Sequence, residues 1–123
     1  NPVVSIREVT DARDLARTIY MDEKIENYIL DIVFATRKPE EVGLSNLKPL
    51  IAYGGSPRAS INMALASKAV AFLQKRGYVL PEDIRAIAAD VLRHRIGLTY
   101  EAEAENISVE DIISQVLNAV KVP

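Results

Sequence analysis

Gly54-Gly55-Ser56-Pro57-Arg58-Ala59-Ser60, followed by an apolar run that closes at Gly77, is the stretch that sets the architecture. It reads as a glycine hinge and then a helix start. Ser56 stands at the N-cap, and Pro57 is the first helical residue, where a missing N–H costs nothing. Ile61, Ala64, Leu65, Ala69, Phe72 and Leu73 are expected to face a core. Ala59, Ala64, Ala66, Ala69 and Ala71 favour helix and permit close approach of a neighbour. Lys75-Arg76 suit the negative end of a helix dipole and Gly77 the residue after it, so the helix is expected over 57 to about 76. Arg58 is the anomaly. A cation in the first turn faces the positive end of the dipole and loses roughly up to 1 kcal/mol. An anion held at this helix start would reverse the sign, because free N–H groups, glycine backbone and guanidinium would all point at it. A solvated arginine, or one paired with a nearby carboxylate, is the alternative, and these residues alone leave both open.

Upstream, Asn1 to Val4 reads as a linker. Ser5 and Glu8 fit a capping box for a helix to about Thr18, with a loose stripe of Ile6, Val9, Leu15, Ala16 and Ile19. Tyr20-Met21 breaks it. Asp22 caps a second helix in which Ile25, Tyr28, Ile29, Ile32 and Val33 keep the i, i+3, i+4 spacing, ending near Arg37 before Pro39. Residues 38 to 56 form one long ordered loop, anchored by Leu50, Ile51 and Ala52; loops of that length are often functional. Downstream, Tyr78-Val79 is a short extended step. Pro81 opens a fourth helix with Ile84, Ile87, Ala88, Val91 and Leu92 inward, closed by Arg93-His94-Arg95. A second loop covers 98 to 107. Ser108, with Asp111 three residues on, caps a last helix whose apolar face is Val109, Ile112, Ile113, Val116, Leu117 and Val120. The expected fold is all-α: a small bundle of about five helices with one long ordered loop and no strand longer than about three residues.

Composition narrows the function. At 123 residues the chain is one domain with enough length for a core. A net charge of −2 gives no field to recruit nucleic acid, and counts against a helix-turn-helix DNA reader. No cysteine is present, which removes disulfides and thiolate metal sites and fits the cytoplasm. A single histidine and no dense acidic cluster argue against any metal centre. The apolar runs are far short of a membrane span. No G-x-x-x-x-G-K-[ST] occurs, so the chain by itself cannot cradle a triphosphate. The start at Asn1, without methionine, reads as a processed product or an excised piece of something longer.

Three further features are candidates. Arg93-His94-Arg95 is a compact basic cluster: either cations complementing a helix C-terminus or a contact surface for an acidic partner or neighbouring subunit. Glu40-Glu41 and Asp22-Glu23 sit in loop or cap positions and read as solvated charge. Tyr20 lies where the chain turns between the first two helices, so a nucleobase could sit near it.

Together these pieces resemble the C-terminal lid domain of the MoxR family of AAA+ ATPases. The resemblance is carried, in register, by Gly55-Ser56-Pro57-Arg58-Ala59-Ser60, by Arg76-Gly77-Tyr78-Val79 with Pro81-Glu82-Asp83-Ile84, by Val91-Leu92-Arg93-His94-Arg95-Ile96 and by Tyr100-Glu101-Ala102-Glu103-Ala104-Glu105. It covers roughly residues 50 to 110. Leu80 departs from the pattern, standing where a small polar cap is usual, and the loop at 38 to 49 is diverged. The resemblance implies that residues 1–4 link to a missing ATPase core and that 5–123 are a helical lid closing over ATP and Mg2+ held by that core. Arg58 then occupies the position of the second sensor arginine, contacting the γ-phosphate beside Ser56 and Pro57. The resemblance also implies a homo-oligomeric, usually hexameric, ring, partners with von Willebrand A domains, and chaperone-like work in complex assembly or cofactor insertion. The competing reading is a free-standing helical adaptor that binds a protein through its alanine-rich helix or basic cluster.

Overall fold

The structure is a computed structural model that describes residues 3–123. The linker expected at Asn1–Val4 therefore lies in part outside the described residues; Val3 and Val4 are exposed. Six α-helices follow in order: α1 (Ile6–Arg17), α2 (Glu23–Arg37), α3 (Pro57–Leu73), α4 (Pro81–Leu92), α5 (Tyr100–Ala104) and α6 (Val109–Ala119). Two short strands, β1 (Ile51–Tyr53) and β2 (Gly97–Leu98), pair antiparallel, with Ile51 opposite Leu98 and Tyr53 opposite Gly97. The all-α bundle expected from the sequence is what forms. The segment 98–107, expected as loop, contains the additional short helix α5, capped by the Thr99 hydroxyl, which accepts from the Ala102 N–H.

The long segment 38–56 is not bare loop. Two 3-10 turns, Pro39–Val42 and Ser45–Leu50, lead into β1. Leu47 and Leu50 anchor it in the core, whereas Ile51 is only half-buried and Ala52 is exposed. Thr99 ties the segment down from the other side: its N–H donates to Leu50 O at 3.0 Å and its hydroxyl to Pro49 O at 2.8 Å.

The core is the inner face of α2 (Ile25, Tyr28, Ile29, Ile32, Val33) against α4 (Ile84, Ala88, Leu92) and α6 (Ile112, Ile113, Val116), with α3 alongside α4. The spacing of apolar residues placed these three stripes correctly. It misplaced α3. The buried residues there are Ala59, Met63, Ser67 and Ala71, one per turn, while Ile61, Leu65 and Leu73 are exposed. The reason is that α3 is apolar on nearly every side, so its period carries no phase. Small residues face α4 because helices packed closely leave little room for side chains. Ser67 is satisfied there, its hydroxyl donating to Ala64 O at 3.0 Å. The α1 stripe is also corrected: only Ala16 is buried, and Ile6, Val9 and Leu15 point to solvent.

Two expected caps are refined. Ser5, Thr99 and Ser108 accept backbone N–H groups as N-caps, but Asp22 and Ser56 make no such side-chain bond. At the C-terminus of α3, Gly77 is not the left-handed residue. Lys75 takes that role with φ 59°, and the Arg76 N–H closes onto Ala71 O at 2.9 Å in a Schellman arrangement.

Arg76 and Asp83, read from the sequence as a helix-end cation and a first-turn acid, are bonded to each other. The guanidinium donates to both carboxylate oxygens, at 2.7 and 2.6 Å. Asp83 also accepts the Leu80 N–H at 2.8 Å. This explains how Leu80 can stand where a polar cap is usual: the capping acceptor is supplied from the third residue of α4 and locked by Arg76. Burial disfavours the Asp83 charge, but the Arg76 and Leu80 hydrogen bonds outweigh it and hold the carboxyl below its usual range. Asp83→Asn is expected to cost about 2 kcal/mol, at the lower side for a broken buried pair because Arg76 keeps some access to water. The sign with pH follows from the depressed value. The contribution is present above the ordinary carboxylate pKa and lost as pH falls through the lowered one. Urea melts of both proteins should differ at neutral pH and converge below about pH 4; a constant gap would contradict this.

Candidate functional site

The site is built where the C-terminus of α2 meets the start of α3. Thr36, buried near the end of α2, donates its hydroxyl to Val33 O at 2.6 Å and accepts the Gly55 N–H at 2.8 Å. Gly54 lies directly on the same backbone: a Cβ added there would sit 2.3 Å from Thr36 O and 2.7 Å from the Arg37 nitrogen. The two glycines, expected as a hinge, are therefore a close-approach clamp. Neither has a positive φ. The clamp delivers the chain into α3 at a fixed angle, and Pro57 begins the helix with its φ already suited to it.

Arg58 follows in the first turn. It is exposed, and among the described residues it has no hydrogen-bond or ion-pair partner. The pairing with a nearby carboxylate that the sequence left open is thus not made. Ser56 caps nothing with its side chain; Pro57 has no N–H and the Ala59 N–H donates to Ser56 O at 2.9 Å, so the Arg58 N–H is the first-turn donor left without an acceptor among the described residues. A fixed helix N-terminus with an unpaired guanidinium beside it suits a phosphate or carboxylate oxygen.

On the helix surface Arg58 shares its face with Asn62 and Leu65, four and then three residues further on. That face opens into a groove of about 540 Å3 between α1 and α3, lined by Val9, Ala16, Leu65, Ala69 and Phe72 among others, with Arg13 and Arg17 on its α1 wall. Val9, Leu65 and Leu73, exposed apolar residues of α1 and α3, border this groove. No spacing rule could show that, because the sequence alone does not say which helix pairs leave a gap.

Tyr20 is placed elsewhere. Its N–H donates to Gly77 O at 3.0 Å and its carbonyl accepts the Val79 N–H at 2.9 Å, beyond the C-terminus of α3. Seventeen helical residues rise about 25 Å, so Tyr20 does not join Arg58 in one compact site. Its hydroxyl donates to Asp22, whose negative charge raises the phenol above its usual pKa.

Arg93-His94-Arg95 lies at the end of α4, whose last residue, Leu92, approaches Gly55. The cluster is not uniform. Arg93 is taken by Glu110 and by Asp90 of its own helix end, His94 is exposed, and Arg95 is half-buried with its Nε lacking a partner. No group of acidic or histidine side chains suited to a metal ion occurs among the described residues. No helix there is long and apolar enough to cross a membrane.

Comparisons with known proteins bear on the family and the fold. The chain is 38% identical over 121 residues to Chaperone MoxR1 of Mycobacterium tuberculosis, covering 98% of this chain and 32% of that protein. It is 35% identical over 105 residues to Protein MoxR of Paracoccus denitrificans, covering 80% of this chain and 31% of that one. It superposes on the crystal structure of a protein assigned as an ATPase from Cytophaga hutchinsonii with a TM-score of 0.96 at 46% identity, over 100% of this chain and 37% of the other. The chain thus spans about a third of the length of the relatives it matches. The family model for the AAA lid domain matches residues 45–116, more than half of the chain, from the second 3-10 turn into α6. The chain belongs to the AAA lid domain family, as a helical lid of the MoxR type.

Proposed function

We propose that this domain is the nucleotide-sensing lid of an ATPase, closing over ATP held by a core domain of the same protein, with Arg58 receiving the γ-phosphate. The observation that carries the reading is Arg58 itself: a cation held against the helix dipole, exposed and unpaired among the described residues, on a helix start fixed by the Gly54–Gly55 clamp. Such a guanidinium is at its most favourable when an anion arrives from outside. Ser56 and Pro57 set the first turn, and the unbonded Arg58 N–H can face the same anion. The apolar α1–α3 groove continues from that face and suits the nucleoside part. ATP supplies the phosphoryl bond to be cleaved; this chain's residues bind, orient and report on its terminal phosphate. No group of three or more acidic or histidine side chains suited to a metal ion occurs among the described residues, and this reading assigns Mg2+ to the core. His94 and Arg95 remain available for a neighbouring subunit in a ring, and hexameric assembly, von Willebrand A partners and a chaperone-like role belong to the same reading.

The test is hydrogen exchange on a protein that carries this lid together with its core. A non-hydrolysable ATP analogue should slow exchange at Arg58 and Ser60 more than ADP does, because only the triphosphate places an anion there. Equal protection by both nucleotides would contradict the sensor role.

A further inference from the structure

Thr36 is fully buried near the C-terminus of α2, at a place where valine would have nearly the same shape and no hydroxyl to satisfy. The hydroxyl has one proton and two lone pairs. The proton goes to Val33 O at 2.6 Å, on the same helix. A lone pair is left for the Gly55 N–H, which donates to it at 2.8 Å. The first bond is internal to α2; the second crosses to the lead-in of α3.

That crossing matters because the start of α3 has little else to fix it. Ser56 makes no side-chain cap, Pro57 has no N–H, and the bond from the Ala59 N–H to Ser56 O lies within the helix start itself. Among the described residues, the bond to Thr36 is the one hydrogen bond that ties Gly55 and Ser56 to another element. Leu92 and Val33 also close around Gly55, since a Cβ there would meet them at 3.3 and 3.4 Å. Apolar contacts have no direction, so they resist separation more than rotation. The body of α3 is held independently, by Met63, Ser67 and Ala71. In the first turn Ala59 alone is buried, and one methyl group offers little hold. The Thr36 bond therefore governs how that turn is wound, and Arg58 lies in it. From Gly55 to Arg58 the chain spans at most about 10 Å, so a turn of about 6° at Gly55 moves the Arg58 backbone by up to about 1 Å. A misplacement of about 1 Å can cost about 100-fold in rate.

We infer that Thr36 is a positioning residue for Arg58: its hydroxyl, holding the Gly55 N–H, keeps the first turn of α3 wound so that the guanidinium is presented in one direction. The inference rests on the reading of Arg58 as the group that receives the terminal phosphate. Thr36 is buried, so it acts through the backbone from Gly55 to Arg58 rather than by touching the nucleotide. ATP held by the core would bind as before, and loss of the hydroxyl falls on turnover rather than on ATP affinity.

Thr36→Val and Thr36→Ser, in a protein that carries this lid with its core, test it. In Thr36→Val, amide exchange at Gly55 and Ala59 should quicken at least about 10-fold, while Met63 and Ala71 keep their protection. The same variant should lose at least about 10-fold in kcat, with KM for ATP changed less than about 3-fold. Thr36→Ser keeps the hydroxyl and should return exchange and turnover to within about 3-fold of wild type. Adding Thr36→Val to Arg58→Ala should lower turnover no further than Arg58→Ala alone, because the positioned group is already gone. Unchanged exchange at Gly55 and Ala59, or exchange that rises equally along all of α3, overturns the positioning role. So does a serine variant that behaves like valine, or a double variant whose losses multiply. An unchanged turnover in Arg58→Ala instead overturns the phosphate reading and the catalytic half of this inference, and the exchange result then decides alone whether Thr36 holds the helix start.

Discussion

Gly54→Ala should unfold this domain more readily than any other single methyl insertion in it. The added Cβ would fall 2.3 Å from Thr36 O, 2.5 Å from Thr36 C and 2.7 Å from the Arg37 nitrogen. All three are backbone atoms near the end of α2, so no side chain can turn aside to make room. Relief requires moving α2 away from the lead-in of α3, which breaks the 2.8 Å bond from the Gly55 N–H to the Thr36 hydroxyl. The expected loss is about 4 kcal/mol, above the usual cost of overpacking because the clash is with backbone, and roughly a 15 °C fall in Tm. Two comparisons make the expectation specific. A Cβ at Gly55 meets only the Leu92, Thr36 and Val33 side chains, at 3.3 to 3.4 Å, so Gly55→Ala should cost about 1 kcal/mol or less. A Cβ at Gly97 would strike the Tyr53 ring, but that ring is largely exposed and can swing away, so Gly97→Ala should be mild too. Thermal melts of the three variants check the order. If Gly54→Ala melts with wild type, the clamp is not rigid and the approach angle of α3 is set elsewhere.

The same clamp shows what the sequence could and could not reveal. Gly54-Gly55 announced that something unusual happens before Pro57 and was read as a hinge, although glycine permits close backbone approach as well as flexibility. Only the position of Thr36, nineteen residues upstream of Gly55, decides between them. The stripes of α2, α4 and α6 were legible because each alternates apolar and polar residues at helical period. Alanine-rich α3 was legible as a helix but not in phase, since alanine is indifferent to burial. Ile61, Leu65 and Leu73 look like core in one dimension and are surface in three. Arg76 and Asp83 were each assigned a local role from position in a helix. Their bidentate pair crosses the α3–α4 connection, and local rules do not see across it. Arg58 was the reverse case. Its disagreement with the helix dipole was a purely local observation, and it singled out the residue that the structure leaves exposed on a rigid helix start. Violations of local preference are informative because packing does not explain them.

Arg58→Ala should separate catalysis from stability in a protein that carries this lid with its ATPase core. A charge-assisted contact to a phosphate whose charge develops during transfer contributes about 2–4 kcal/mol to the barrier. Turnover should therefore fall roughly 30- to 900-fold. The fold has little to lose. Arg58 is exposed, has no partner among the described residues, and lies against the dipole of α3, so alanine removes an unfavourable interaction and adds a good helix former. Its melting temperature should stay level or rise slightly. Lid closure should respond as well. A ligand shifts a conformational equilibrium only by its differential affinity for the two states, and Arg58 would be the group through which ATP and ADP differ on this side of the site. Arg58→Ala should thus abolish the difference in Arg58-region amide protection between the two nucleotides while leaving binding to the core largely intact. Arg58→Lys keeps the charge but loses the fork geometry, and should fall between wild type and alanine. The decisive measurement is paired: steady-state turnover and thermal melts on the same preparations. If turnover is unchanged while the melting temperature drops by several degrees, Arg58 is a structural residue, and the anion at the start of α3 must be sought among other groups.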